Sequence, residues 1–299
     1  VSTASASPSG LALWIEGARP RTLPAAVAPV LAGTGAAVVA DGFVWWKALL
    51  ALGVSLALQI GVNYANDYSD GIKGTDDDRV GPLRLVGSGL ATPAAVKRAA
   101  LGFLGLGAAL GVALAATTTW WLLLVGAAAL VAAWTYTGGP SPYGYRALGE
   151  VSVFLFFGLV AVLGTTYVQL EEVTGTSVAA AVGVGALACA ILVANNLRDI
   201  PTDTVSGKRT LAVVLGDATS RRFYALLCLV ALVAAVAAAV AAESSWLLLA
   251  FVCVPLVARS VRTVLAGATG PALVPVLKKT GVAELLYAVG LTVGCIIGS

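Results

Sequence analysis

Two stretches of this chain concentrate residues able to bind hard cations and phosphate. The first runs Asn63-Tyr-Ala-Asn66-Asp67-Tyr68-Ser-Asp70-Gly-Ile-Lys73 and continues through Gly74-Thr-Asp76-Asp77-Asp78-Arg79. The second runs Asn195-Asn196-Leu-Arg198-Asp199-Ile-Pro201-Thr-Asp203 and continues to Lys208-Arg209-Thr210. Each offers amides first, then carboxylates, then cations. Asn63, Asn66 and Asp70 stand at i, i+3, i+7, and Asn195, Asp199 and Asp203 at i, i+4, i+8, so each set falls on one stripe of a helix. The second stripe requires a helix that carries Pro201 near its end or at a kink. Such oxygen donors suit Mg2+, which is commonly held by one or two carboxylates together with substrate phosphate. Two stripes facing each other would hold a diphosphate between metal ions. Lys73, Arg79, Lys208 and Arg209 would neutralise the remaining phosphate charge.

The surroundings of these stretches are apolar. Hydrophobic types make up 59% of the 299 residues and charged types 11%, with a mean hydropathy of +0.93. Soluble domains carry roughly 25% charged residues, so the bilayer must be the solvent for much of this chain. An ionised acid inside it costs at least about 2.5–3.5 kcal/mol, so clustered acids need a compensating charge. The net charge of +3 gives no reason to expect a nucleic-acid partner. His is absent, and Cys189, Cys228, Cys253 and Cys295 lie singly in apolar runs, which argues against zinc, haem or histidine acid–base chemistry. The cysteines read as small buried hydrophobes.

These elements must be all-α. Nine apolar runs long enough to cross about 30 Å of hydrocarbon are expected near Leu23–Ala40, Val44–Ala65, Ala94–Ala115, Thr119–Thr135, Leu148–Val168, Val178–Asn195, Phe223–Ala241, Trp246–Val264 and Val282–Ile297. They form one transmembrane domain over 14–299, after a Ser/Ala-rich tail over 1–13 that is read as disordered and lacks the pattern of a cleaved signal peptide. Met is absent even at position 1, so Val1 is not expected to be the translated start. With nine spans, Lys47 is the lone basic residue assigned to one side; the other side collects the rest, which places the N-terminus and the two long polar loops in the cytoplasm and the C-terminus outside. The polar segments end the second and sixth spans, which suggests a duplicated four-helix unit with its site where the repeats meet. The competing reading of Asp76-Asp77-Asp78 is a hydrated turn.

At these residues the chain resembles the UbiA superfamily of intramembrane aromatic prenyltransferases, marked by N-x-x-x-D-x-x-x-D and D-x-x-x-D motifs. Asn66 and Asp70 match the first, whose third position here is Gly74, with Asp76 the nearest acid beyond; Asp199 and Asp203 match the second. Ala18-Arg-Pro-Arg-Thr-Leu-Pro24, Gly139-Pro-Ser-Pro-Tyr-Gly-Tyr145, Asn195-Asn-Leu-Arg-Asp199 and Gly207-Lys-Arg-Thr-Leu211 are similar to the branch acting on 1,4-dihydroxy-2-naphthoate in menaquinone biosynthesis.

The resemblance implies helices around a central cavity in the bacterial plasma membrane, Mg2+ as cofactor and a polyprenyl diphosphate donor. An aromatic ring carbon would attack with loss of carboxylate and diphosphate, giving a demethylmenaquinone. Asp70, Asp199 and Asp203 would hold Mg2+, with Asp67 or Asp76 completing the set; Asn66 and Asn195 would ligate or orient. Lys73, Arg79, Lys208 and Arg209 would grip diphosphate, so that Asp70, Asp199, Lys73 and Arg198 stand closest to the chemistry. Tyr64, Tyr68, Tyr136, Tyr143 and Tyr145 would face an allylic cation or sit in an interfacial belt. Arg19, Arg21, Arg146 and Arg198 are candidates for the acceptor carboxylate. A secondary transporter, or an enzyme for another aromatic acceptor, is the alternative reading.

Overall fold

In lipid every backbone N–H and C=O must find a partner within its own segment, so apolar runs of this length wind into helices. The computed structural model describes residues 10–74 and 83–299, and among them no β-strand forms. Asp76, Asp77, Asp78 and Arg79 lie outside the described residues, as does most of the expected tail. In chain order the main helices are α1 (Leu11–Ala18), α2 (Pro24–Val39), α3 (Trp45–Ile72), α4 (Pro93–Ala116) and α5 (Leu122–Thr135). They continue as α6 (Gly149–Leu170), α7 (Gly175–Val205), α8 (Asp217–Ala241), α9 (Ser245–Leu265) and α10 (Gly270–Gly298). Helix α1 begins inside the stretch expected to be tail, and its Leu13 is buried.

The expected count of nine crossings is not confirmed among the described residues. Among the described residues seven helices, α3, α4 and α6 to α10, are long and apolar enough to span a membrane. An eighth arises if Leu11–Thr22 and Pro24–Val39, bent by 50° to each other, count as one span. The fourth expected run becomes α5, of only 14 residues. At 1.5 Å per residue it covers about 21 Å, short of the hydrocarbon layer. Its shortfall arises because Trp120 and Trp121 sit in a turn before the helix, although their apolarity extends the run in sequence.

Helix α7 is the central post: 72% of its apolar window is buried inside the protein, against 28% for α4 and α6. It packs on α8, α6, α10 and α2, while α3 packs chiefly on α4. Small residues make these approaches possible, as expected where lipid offers helices no hydrophobic drive to associate. A methyl group on Gly158 would lie 2.7 Å from the Cα of Gly185, so α6 and α7 touch through bare backbone. Hydroxyls add links between helices: Thr166 donates to the Gly33 carbonyl at 2.9 Å, and Thr292 to that of Leu31 at 2.8 Å. All four cysteines are free and buried.

The bend before α2 is clamped by α3. Asn63 Nδ2 donates to the Ala18 carbonyl and to Thr22 Oγ1, both at 2.9 Å, and Gln59 Nε2 joins the same hydroxyl at 2.9 Å. Asn63 therefore serves this bend, although its spacing aligns it with Asn66 and Asp70.

Elsewhere in the bundle, Arg221 locks α8 to the end of α9. Its guanidinium pairs with Asp217 at 2.6 and 2.7 Å and donates to the carbonyls of Val264 and Ala268 at 2.6 and 2.9 Å. A cation there also meets the negative end of the α9 dipole. Arg221→Ala is expected to cost about 2 kcal/mol, since two carbonyls lose a charged donor. Thermal unfolding in detergent should show a midpoint several degrees lower, with Arg221→Lys intermediate because it lacks the planar fork.

Candidate active site

Helices α3 and α7, of 28 and 31 residues, end in the two polar segments, and the loops beyond them bring those ends together. Asp70, in the last turn of α3, is only 3% exposed. Its Oδ1 accepts a hydrogen bond from the Tyr145 hydroxyl at 2.5 Å and faces Lys208 Nζ at 3.8 Å. Its Oδ2 faces Arg84 Nη2 at 3.6 Å. The Tyr145 ring lies between two ammonium groups, 5.2 Å from Lys73 and 4.8 Å from Lys208. One carboxylate of the first segment thus meets a cation of the second across a tyrosine from the α5–α6 connection.

Local structure explains how Lys208 arrives there. Helix α7 runs through Pro201 to Val205, and Gly207 then adopts φ +74°, the left-handed turn that ends many helices. The Lys208 amide donates back to the Asp203 carbonyl at 2.9 Å, and the Arg209 amide donates to the Tyr145 carbonyl at 3.1 Å. The returning chain is therefore stitched both to α7 and to the tyrosine. On α3, Asn66 Oδ1 accepts from Thr137 Oγ1 at 2.7 Å, while Lys73 Nζ donates to the Thr137 carbonyl at 2.7 Å. Partial burial draws the Lys73 ammonium below its ordinary value; Asp70 opposes the shift and Lys208 adds to it.

The acids of α7 have their own partners. Asp199 is 5% exposed and takes the Arg198 fork, Nε to Oδ1 and Nη2 to Oδ2, both at 2.7 Å. The same Nη2 donates to Asn195 Oδ1 at 2.9 Å, and Asn195 Nδ2 reaches Asp199 Oδ2 at 3.4 Å. Asp203 is buried and accepts from Thr210 Oγ1 at 3.4 Å. One turn towards the membrane, Asn196 donates to the buried Glu150 at 2.9 Å, fixing α7 against α6.

Asp67 stands apart from this group. It has no exposed surface, and its two oxygens accept the backbone N–H groups of Leu85 and Val86 at 2.8 and 3.0 Å. Each such charge-assisted bond contributes about 1.5–3 kcal/mol. Tyr68 packs beside Trp134 with Lys97 over its ring, on the α4–α5 side of α3. Arg21, Arg146 and Arg209 are exposed, whereas Arg198 is buried beside the acids. Arg84 and Thr137 belong to the site by contact, yet neither has a spacing that would single it out in sequence. Among the described residues no three acidic or cysteine side chains converge on one point. What the site provides is buried carboxylate and amide oxygen from two helices, a donor set that fits a hard divalent cation completed by phosphate oxygens.

A protein-family model described as the UbiA prenyltransferase family matches residues 26–270. The chain belongs to the UbiA prenyltransferase family. It is 54% identical over 283 residues to a Mycobacterium tuberculosis protein named 1,4-dihydroxy-2-naphthoate octaprenyltransferase, covering 95% of this chain and 96% of that relative. Its fold is shared with a UbiA homolog from Aeropyrum pernix K1, at 15% identity and a TM-score of 0.72 over 90% of this chain and 97% of that one. It is shared also with a UbiA homolog from Archaeoglobus fulgidus bound to GPP and Mg2+, at 16% identity and a TM-score of 0.68 over 95% and 99%. This UbiA family member is a multi-pass membrane protein.

The Tyr145 contacts can be separated by substitution. Tyr145→Phe keeps the ring between the two ammonium groups and removes only the hydroxyl on Asp70, about 1.5 kcal/mol or tenfold in prenyl-transfer turnover. Tyr145→Ala also removes two cation–π contacts, and turnover should fall about a hundredfold. Equal losses in the two variants would mean that the ring face contributes nothing.

Proposed function

We propose that this chain transfers a polyprenyl group from polyprenyl diphosphate to 1,4-dihydroxy-2-naphthoate, with loss of carbon dioxide and diphosphate, giving the demethylmenaquinone skeleton. The observation that carries the donor half is the meeting of Asp70 with Lys208, Arg84 and Tyr145 at the joined ends of α3 and α7. The acceptor is inferred from the relative at 54% identity that bears that substrate in its name. The one-sided distribution of Lys and Arg supports an orientation in the bacterial plasma membrane with N-terminus and polar loops cytoplasmic and C-terminus outside.

The chemistry begins with a C–O bond whose leaving group gathers negative charge. Fixed cations aimed at the departing oxygens lower that barrier most where water is excluded. Lys208 and Arg84 supply them from buried and half-buried positions, with Lys73 and Arg209 at the exposed edge and Arg79 proposed for the same role. Asp70, Asp199 and Asp203, with Asn66 and Asn195, would hold Mg2+, which when bound withdraws charge from phosphate oxygens as a Lewis acid. Arg198 orients Asn195 and Asp199 through its fork and is the candidate for the acceptor carboxylate that lies buried beside the acids. Arg21 and Arg146 would meet the acceptor nearer the surface. Tyr145 presents a ring face next to the ionising carbon.

The ring carbon that bears the carboxylate forms the new bond to the prenyl carbon. The electron pair of the C–CO2 bond then restores the aromatic ring, so substitution requires no net proton transfer. The absence of His from the chain is compatible with this route.

Purified protein in lipid, supplied with polyprenyl diphosphate, dihydroxynaphthoate and Mg2+, should form prenylated naphthoquinol and release diphosphate. Chelation should abolish both, and Mg2+ should restore them. Asp199→Asn should lower turnover at least a hundredfold, about 2.7 kcal/mol of barrier. Replacing the acceptor by 4-hydroxybenzoate should leave less than about a tenth of the rate, because a pocket built for a fused bicyclic ring grips a single ring poorly. Full activity after chelation would overturn the metal assignment, and equal rates with both acceptors the naphthoate assignment.

A further inference from the structure

We propose that Asp67 is a positioning residue rather than a metal ligand: it latches the returning inner loop to α3 so that Arg84 is presented to Asp70. The inference rests on reading the Asp70 site as the metal and diphosphate site.

Four contacts seat the loop. Asp67 Oδ2 accepts the Leu85 amide at 2.8 Å, and Oδ1 accepts the Val86 amide at 3.0 Å. Leu85 is fully buried among Leu13, Tyr64, Val96 and Ala100. Val86 lies so close to Gly71 that a methyl group on the glycine would come within 2.5 Å of it. The segment closes on itself as a turn, with Ser88 N donating to the Arg84 carbonyl and Ala91 N to that of Leu85, each at 3.0 Å.

Consecutive amides aimed at one carboxylate leave little freedom for the residue just before them. That residue is Arg84, whose Nη2 lies 3.6 Å from Asp70 Oδ2. Asp67 and Asp70 stand three positions apart on α3, but their jobs diverge. One carboxylate holds backbone, and the other faces Tyr145, Lys208 and Arg84. A carboxylate with both oxygens engaged by fixed N–H groups, and no exposed surface, is poorly placed to ligate an ion as well.

The test compares Mn2+ affinity, read by equilibrium binding to the full-length protein in lipid nanodiscs with an inorganic diphosphate present, with steady-state kinetics. In Asp67→Asn one amide loses its acceptor and meets an NH2 group instead. Its Mn2+ dissociation constant should stay within about threefold of the parent, while KM for polyprenyl diphosphate rises about tenfold and kcat changes little. Asp70→Asn should weaken Mn2+ binding by about tenfold or more. Arg84→Gln should reproduce the KM effect. The double variant Asp67→Asn/Arg84→Gln should be no worse than Arg84→Gln by more than about threefold, since both act through one contact.

If Asp67→Asn cannot be recovered folded, Gly71→Ala displaces the same loop without touching any acid. A raised KM with unchanged Mn2+ affinity supports the latch, and an unchanged KM overturns it. Mn2+ binding lost in Asp67→Asn as severely as in Asp70→Asn also overturns the latch, as do fully additive effects of Asp67→Asn and Arg84→Gln. Mn2+ binding untouched by Asp70→Asn would instead sink the metal-site reading on which the latch rests.

Discussion

The structure turns on one constraint: carboxylates at the ends of apolar helices must be compensated where they lie. Desolvating an ionised acid costs several kcal/mol even after relaxation, and removing the partner of a buried charge costs about 3–5 kcal/mol. Every described acid of the two polar segments answers this with a specific contact. Asp67 has two backbone amides, Asp70 a tyrosine hydroxyl with two cations nearby, Asp199 an arginine fork, and Asp203 a threonine hydroxyl. Apart from Arg198, which lies on α7 beside Asp199, these partners come from connections between helices, so the loops are placed by the electrostatics of the helix ends they follow. The helices in turn supply the low-dielectric wall that makes each contact strong.

Much of the architecture was legible because it follows from averages. Mean hydropathy and the scarcity of charge demanded helices in lipid, and the seven long apolar helices together with the bent pair fall where the runs were read. The count of nine is not confirmed, and the difference is local. Trp120 and Trp121 are as apolar as the helix they precede, so a hydropathy run could not tell that they sit in a turn. The 50° bend before α2 and its clamp by Asn63 depend on a hydroxyl at Thr22, more than forty positions earlier in the chain. Periodicity sees one helix at a time. It assigned Asn63 to a stripe, whereas a contact from another element put it to different use.

The same limit governs the site. Spacing singled out Asn66, Asp70, Asn195, Asp199 and Asp203 as candidates because a helix converts intervals of three and four into a shared face. Arg84 and Thr137 carry no such interval relative to Asp70 or Asn66; they arrive through connections whose course no local pattern records. Arg198 and Asp199 are neighbours in sequence, and adjacent residues do not normally face each other on a helix. The length of the arginine side chain overcomes that separation, giving a bidentate pair that a face-based reading would not draw. Tyr145 is the clearest case. Its resemblance to a family phrase marked it, but its chemistry comes from lying between Lys73 and Lys208 with its hydroxyl on Asp70.

The two segments look alike in composition, yet they solve the loop problem differently, and the difference has a physical origin. After α7 the chain turns immediately at Gly207, so a single left-handed residue and the bond from the Lys208 amide to the Asp203 carbonyl suffice to return a cation to the site. After α3 the connection is long, and a cation as far along as Arg84 cannot be placed by a helix cap. Loop-closure entropy grows with the length of such a connection, so its far end must be held by contacts of its own. A buried carboxylate one turn back on α3 is a suitable anchor because it can receive two amides at once, which a hydroxyl or an amide side chain does less well. An additional acid in the first segment, with no counterpart at the matching place in the second, is then what the unequal loop lengths require.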